Sequence, residues 1–108
     1  KELKVKIETY KVWGIVGSAT ANGWGGPDTK FRPDFGNEGV WYINNISLSA
    51  GEVKFRLNDD WGVNYGDDGA NGSLEAGGAN IVVRTAGVYN VKLDFRNPNA
   101  PTYTLIKN

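Results

Sequence analysis

The chain has 108 residues, enough for one modest hydrophobic core and too few for a second catalytic domain. Its 12 Lys and Arg balance 12 Asp and Glu, so the basic excess that phosphate-dominated nucleic-acid binding needs is missing. With no Cys and no His it can form no disulfide, thiolate nucleophile, Cys/His zinc site or triad with an imidazole base.

No apolar run approaches the roughly 20 residues of a membrane-spanning helix, and no signal peptide is evident. A start at Lys1 rather than Met leads us to expect a fragment or processed product, with residues 1–108 as a single domain. The 15 Gly, together with 4 Trp, 5 Tyr and 4 Phe, point to an all-β chain with many turns.

Residues 1–9 read as a linker or an edge strand, because Leu3, Val5 and Ile7 alternate with Lys4, Lys6 and Glu8. Residues 12–16 are uniformly apolar and predict a buried central strand. Residues 17–28 form a Gly-rich loop with an Asn22-Gly23 turn signal, Pro27, and Trp24 in its middle. Residues 40–48 predict a strand whose phase slips: Trp41 and Ile43 are odd, Ile46 and Leu48 even, so Asn44-Asn45 should be a bulge.

Val53, Phe55 and Leu57 alternate with Lys54, Arg56 and Asn58 in the clearest strand of the sequence. Asp59-Asp60-Trp61-Gly62 reads as the turn after it. Residues 66–72 predict a second loop, and Gly77-Gly78 a turn into a strand over 80–84. Tyr89, Val91, Leu93 and Phe95 give a further period-two strand, and 103–106 the last. Seven to nine short strands without helical periodicity predict an antiparallel β-sandwich, immunoglobulin-like or of the carbohydrate-binding-module kind. Leu57, Ile81, Val91 and Leu93 are expected in its core.

The two loop tryptophans stand out chemically. An exposed indole is a flat apolar plate with one N–H donor, and sugars present flat C–H faces. Trp24 and Trp61 are therefore candidate ligand contacts, with Tyr65 as a further ring. The competing roles are a plug at one end of the sandwich for Trp24 and an anchor on the sheet edge for Trp61. Trp13 and Trp41 sit inside strand patterns and are expected in the core.

Lys54 and Arg56 can donate to vicinal hydroxyls, and Asn80 can both donate and accept. Equally, the first two suit a solvated strand face and the third a turn cap. The Asp67, Asp68, Asn71, Gly72 run loosely resembles a calcium loop, but Gly69 and Gly78 fall where ligands are required, so a turn is expected, with no metal and no cofactor. Neighbouring carboxylates such as Asp59-Asp60 do not make the separated pair that glycoside hydrolysis needs.

Three segments carry a family resemblance: Trp13-Gly14-Ile15-Val16-Gly17-Ser18-Ala19-Thr20 followed by Gly23-Trp24, then Gly39-Val40-Trp41, then Ala50-Gly51-Glu52-Val53-Lys54-Phe55-Arg56. With Asp60-Trp61, Asn64-Tyr65-Gly66, Gly77-Gly78-Ala79-Asn80-Ile81 and Ala86-Gly87-Val88-Tyr89-Asn90-Val91, the chain resembles SusE/SusF-type starch-binding domains over about residues 10–106.

The resemblance implies a non-catalytic β-sandwich that holds starch or a related α-glucan. By position, Trp24 and Trp61 match the family's aromatics, Lys54 its basic residue, Asn80 its amide and, less closely, Arg56 a second cation. It further implies outer-membrane, cell-surface or secreted placement beside neighbouring domains of a longer chain and a glycan-uptake complex. The partner is a polysaccharide or oligosaccharide, with no nucleic acid. The alternative is a structural Ig-like spacer domain of a larger surface protein, which predicts that Trp24 and Trp61 are buried or far apart.

Overall fold

A computed structural model describes residues 11–108. The strand or linker expected over residues 1–9 lies outside the described residues. Ten strands are present among them: β1 Trp13–Val16, β2 Thr29–Lys30, β3 Arg32–Pro33, β4 Val40–Leu48, β5 Gly51–Leu57, β6 Asp60–Gly66, β7 Glu75–Ala76, β8 Ile81–Val83, β9 Gly87–Asp94 and β10 Thr102–Lys107.

They form two antiparallel sheets. The first runs β2-β1-β5-β6-β7, with β8 also on β5, and the second β10-β9-β4-β3. The predicted sandwich is therefore the observed fold. Its core lies between the sheets, where alternate residues of β5 (Val53, Phe55) meet those of β9 (Tyr89, Val91, Leu93).

Ile81, Val91 and Leu93 are buried as expected. Leu57 is not. It ends β5 opposite Asp60 and is only partly covered, because the sheet runs out at the adjoining hairpin. Trp13 is core, stacked on Phe95 with ring centroids 4.7 Å apart. Trp41 is half-buried, packed against the core from the β3 side. The phase slip in β4 is a bulge between Ile43 and Ile46, with Asn45 at φ 62° and its amide donating to Asn90 Oδ1 at 2.9 Å.

Two features escaped the periodicity. Phe31 is the single residue between β2 and β3, and the chain changes sheets there. Its N–H donates to Trp13 O at 2.8 Å and its ring packs edge-on against Phe55 in the core. The turn after β5 is Asn58-Asp59 alone, both at positive φ, 57° and 58°. Such a two-residue hairpin matches the twist of the strands it joins. Trp61 consequently lies in strand β6, not in the turn.

Strand β1 is buried along its whole length, as a central strand should be. On its outer side, Gly14 is the register partner of Arg56 on β5. A Cβ on Gly14 would collide with the Cβ of Asp28. The bare backbone there leaves the space in which Asp28 sits.

Leu93→Ala should lower unfolding stability by about 2–5 kcal/mol in urea titrations, and Leu57→Ala by clearly less, since only the first empties a closed part of the core. Acid should also weaken the fold. Both oxygens of Asp94 accept bonds from the Arg96 guanidinium at 3.0 and 2.7 Å, and this pair, with the Arg96 backbone N–H, holds the Asp94 carboxyl at about 2. A carboxyl lowered in the folded state contributes stability that is present above its unfolded value, roughly 3.9, and is lost as pH falls through about 2. Asp94→Asn should flatten the melting-temperature profile across that window.

Candidate functional site

Trp24 sits on a single 3-10 turn, Gly23–Gly25, inside the long loop between β1 and β2. The loop is held by its own bonds. Gly23 N–H donates to Thr20 O at 3.2 Å, Thr20 Oγ1 to Gly17 O at 2.8 Å, and Asn22 Nδ2 to Pro27 O at 2.9 Å. Gly26, at φ 70°, turns the chain past the Arg56 guanidinium.

Trp61 reaches the same face by an irregularity. Trp61, Val63 and Tyr65 share a parity, so a regular strand would point all three one way. Phe55 pairs with Tyr65 and Arg56 with Asn64, but Leu57 pairs next with Asp60. Residues 61–63 thus have no partners on β5, and a bulge of this kind re-aims side chains. Tyr65 stays on the inner side, edge-on to Trp13 at 5.7 Å and Phe95 at 5.5 Å. Trp61 lies on the outer side with Arg56 and Lys54.

The two candidate plates meet. Ring centroids of Trp24 and Trp61 are 5.9 Å apart with planes inclined at 36°, and the residues keep 36% and 44% of their surface exposed. Both fractions are large for an indole, whose apolar area is the costliest in the chain to leave wet.

Beneath Trp61 lies Arg56, its Cζ 4.7 Å from the ring centroid. Arg56 is only 5% exposed and Asp28 6%. They form a two-pronged ion pair, Nε to Oδ2 at 2.6 Å and Nη2 to Oδ1 at 2.7 Å. Those bonds, against the opposing pull of burial, hold the guanidinium more firmly protonated than an ordinary arginine. Asp28 N–H donates to Asp59 Oδ1 at 2.9 Å, and Lys30 Nζ reaches both Asp59 oxygens at 2.6 and 2.7 Å. Arg56 is therefore a supporting strut, committed to Asp28 on one side and to the indole face on the other.

Lys54 lies beside the pair, Nζ 5.9 Å from the Trp61 centroid. It donates to Asn64 Oδ1 at 2.6 Å, and Asn64 Nδ2 in turn donates to Trp61 O at 2.8 Å. Burial lowers the ammonium from the ordinary lysine value, and the Asp68 carboxylate works against that shift. Asn80 precedes β8, one register step beyond the Val53–Ile81 pair and so on the Lys54 side. Its Nδ2 donates to Glu52 Oε1 at 3.0 Å, and it lines a cavity of about 290 Å³ with Arg84 and Tyr103.

Of the six sequence candidates, the structure brings Trp24, Trp61, Lys54 and Arg56 together, sets Asn80 just before β8 on the Lys54 side of β5, and places Tyr65 on the inner side. Sequence reasoning missed Asp28, Asp59 and Asn64. Asp59 and Asn64 fall inside segments quoted above for other reasons, and each of the three matters only through a partner brought near by folding.

The acidic side chains on this face are already engaged. Asp28 holds Arg56, Asp59 holds Lys30, and Asp60 Oδ1 accepts from Gly62 N–H at 2.9 Å. The Asp67 loop closes on itself. Asp67 accepts from Gly69 N–H, Gly72 N–H and Tyr103 Oη at 3.1, 2.9 and 2.7 Å. No group of three acidic side chains converges among the described residues, and no helix there is long and apolar enough to cross a membrane.

A family model described as SusF/SusE starch specific CBMs matches residues 11–104. That span includes Trp24, Lys54, Arg56, Trp61 and Asn80. No curated protein matches the chain.

Removing Asp28 leaves a buried guanidinium without its partner. Asp28→Ala should cost about 3 kcal/mol of unfolding stability and shift the intrinsic tryptophan emission as Trp61 loses its support. Gly14→Ala should reproduce both effects from the other side, by pushing Asp28 out of its seat.

Proposed function

The chain belongs to the SusF/SusE family of starch-specific carbohydrate-binding modules, and from that membership we propose that it grips an α-glucan on the Trp24–Trp61 pair without catalysing its cleavage. The observation that carries this reading is the pair of exposed indoles 5.9 Å apart and inclined at 36°. An α-linked glucan curls, so successive sugar faces turn relative to one another. Two inclined plates suit that curl, whereas coplanar plates suit a flat ribbon. Each plate takes the C–H face of one glucose, and burying apolar area on both sides supplies the driving force.

Hydroxyl recognition falls to Lys54 and, just before the neighbouring strand β8, Asn80. The Lys54 ammonium carries three protons and spends one on Asn64. Binding is weak at a single open site, on the order of micromolar to millimolar, because each new hydrogen bond replaces one to water. Retention then depends on several domains gripping one polymer. Such a role fits a surface-exposed, outer-membrane or secreted protein with neighbouring domains and a glycan-uptake complex. The spacer reading is not favoured, since it expects the tryptophans buried or apart.

Affinity electrophoresis and calorimetry test the reading with amylose and pullulan against xylan and levan. Retardation by the α-glucans alone is expected. Trp61→Ala should lose most of that binding, while its melting temperature stays nearly unchanged. Lys54→Ala should weaken binding about tenfold, the loss of one charge-assisted hydrogen bond, and EDTA should change nothing. A Trp61→Ala variant that binds amylose as tightly as the parent overturns the assignment.

A further inference from the structure

We propose that the hairpin joining β3 to β4 carries a second glucan-binding site, in which Phe35 and Trp41 flank one hexose ring and Glu38 accepts its hydroxyls. This rests on the reading that the domain holds an α-glucan, and it concerns a different sheet from the one bearing Trp24 and Trp61. The hairpin borders an open cleft of about 300 Å³ lined by Pro33, Asp34, Phe35, Glu38, Val40 and Trp41 among others. That is the lower end of the range for small-molecule sites.

Phe35 is 95% exposed. The turn presenting it is rigidly tied. Asp34 Oδ1 accepts from Gly36 N–H at 3.0 Å, Asp34 Oδ2 from Asn37 Nδ2 at 3.1 Å, and Asp34 N–H donates to Val40 O at 2.8 Å. Trp41 is fixed by strand pairing on both sides, to Pro33 and to Leu93. Among the described residues, neither the Phe35 ring nor the Trp41 ring stacks on another aromatic, although both line the cavity. A third flat body seated in the cleft would meet residues Phe35 and Trp41 alike.

The polar groups select its chemistry. The Asn37 side chain and the Gly36 amide hold the Asp34 carboxyl below the ordinary carboxylate value, and its oxygens are spent on the turn. Glu38 makes no hydrogen bond or ion pair among the described residues. An ionised carboxylate only accepts, so the occupant must bring donors alongside an apolar face. A glucose unit brings both. A folded protein partner would need roughly 800 Å² from each side, far more than one ring and a cleft provide.

The test follows the four indole N–H signals of isotope-labelled protein by NMR during titration with maltoheptaose. We expect Trp24 and Trp61 to shift together, and Trp41 to shift along its own isotherm. Phe35→Ala should weaken the Trp41 isotherm about tenfold and leave that of Trp61 unchanged. Glu38→Gln should weaken the Trp41 isotherm as well, and Trp61→Ala should spare it. A still Trp41 beside a shifting Trp61 overturns the second site and leaves the tryptophan-pair reading standing. A Trp41 shift that vanishes in Trp61→Ala also overturns it, as does one that appears with rising protein concentration and no sugar, which marks a second copy as the occupant. A shifting Trp41 with a silent Trp61 supports the hairpin site and removes the tryptophan-pair reading. Silence of both overturns the two together.

Discussion

Asp28 and Arg56 come from distant parts of the chain and meet in a space that exists because residue 14 has no side chain. Neither charge could be buried alone, since the desolvation penalty of an unpaired guanidinium or carboxylate is several kcal/mol. Each therefore enforces the position of the other. Asp28 ends the loop that carries Trp24, and Arg56 lies on β5 directly under Trp61. One ion pair thus sets the loop, the strand and the relation between the two indoles. Lys30 and Asp59 reinforce it from the hairpin side.

The two sheets contribute in different ways. The β4–β9–β10 sheet is regular apart from one bulge, and β4 and β9 supply its share of the core. The β1–β5–β6 sheet is the irregular one. Its strands are interrupted where β6 leaves β5 and where the chain crosses over at Phe31. Irregularity on that side removes residues from strict alternation and lets large apolar rings stand outside the core. Strand pairing alone would have hidden Trp61 beside Tyr65.

How far the sequence discloses this depends on whether the cause is local. The strands over Val53–Leu57 and Tyr89–Leu93 are legible because alternation with Lys, Arg and Asn marks one buried face. The bulge at Asn44-Asn45 shows as a change of parity. Trp24 shows as a ring without apolar neighbours in a Gly-rich loop. Leu57 misleads, since its parity is right but it stands at the end of the sheet. Tyr65 misleads for the opposite reason, because counting puts it with Trp61 and the three unpaired residues 61–63 undo the count. Phe31 between Lys30 and Arg32 offers no period at all. Asp28 and Gly14 look like ordinary loop and strand residues until both are seen against Arg56.

The guanidinium packed under Trp61 also bears on how fast anything can come and go. With its lower side occupied by Arg56, the indole has one open side, so on the proposed reading a ligand meets a surface that already exists. Engagement on that reading needs no closing step, and release no opening step. Association is then set by encounter and orientation, which for rigid patches gives rate constants of about 10⁵–10⁷ M⁻¹s⁻¹. At the millimolar end of the proposed affinity, that implies dwell times of about 0.1–10 ms. On the reading proposed above, a polymer would be held by many brief contacts and could move past the domain between them.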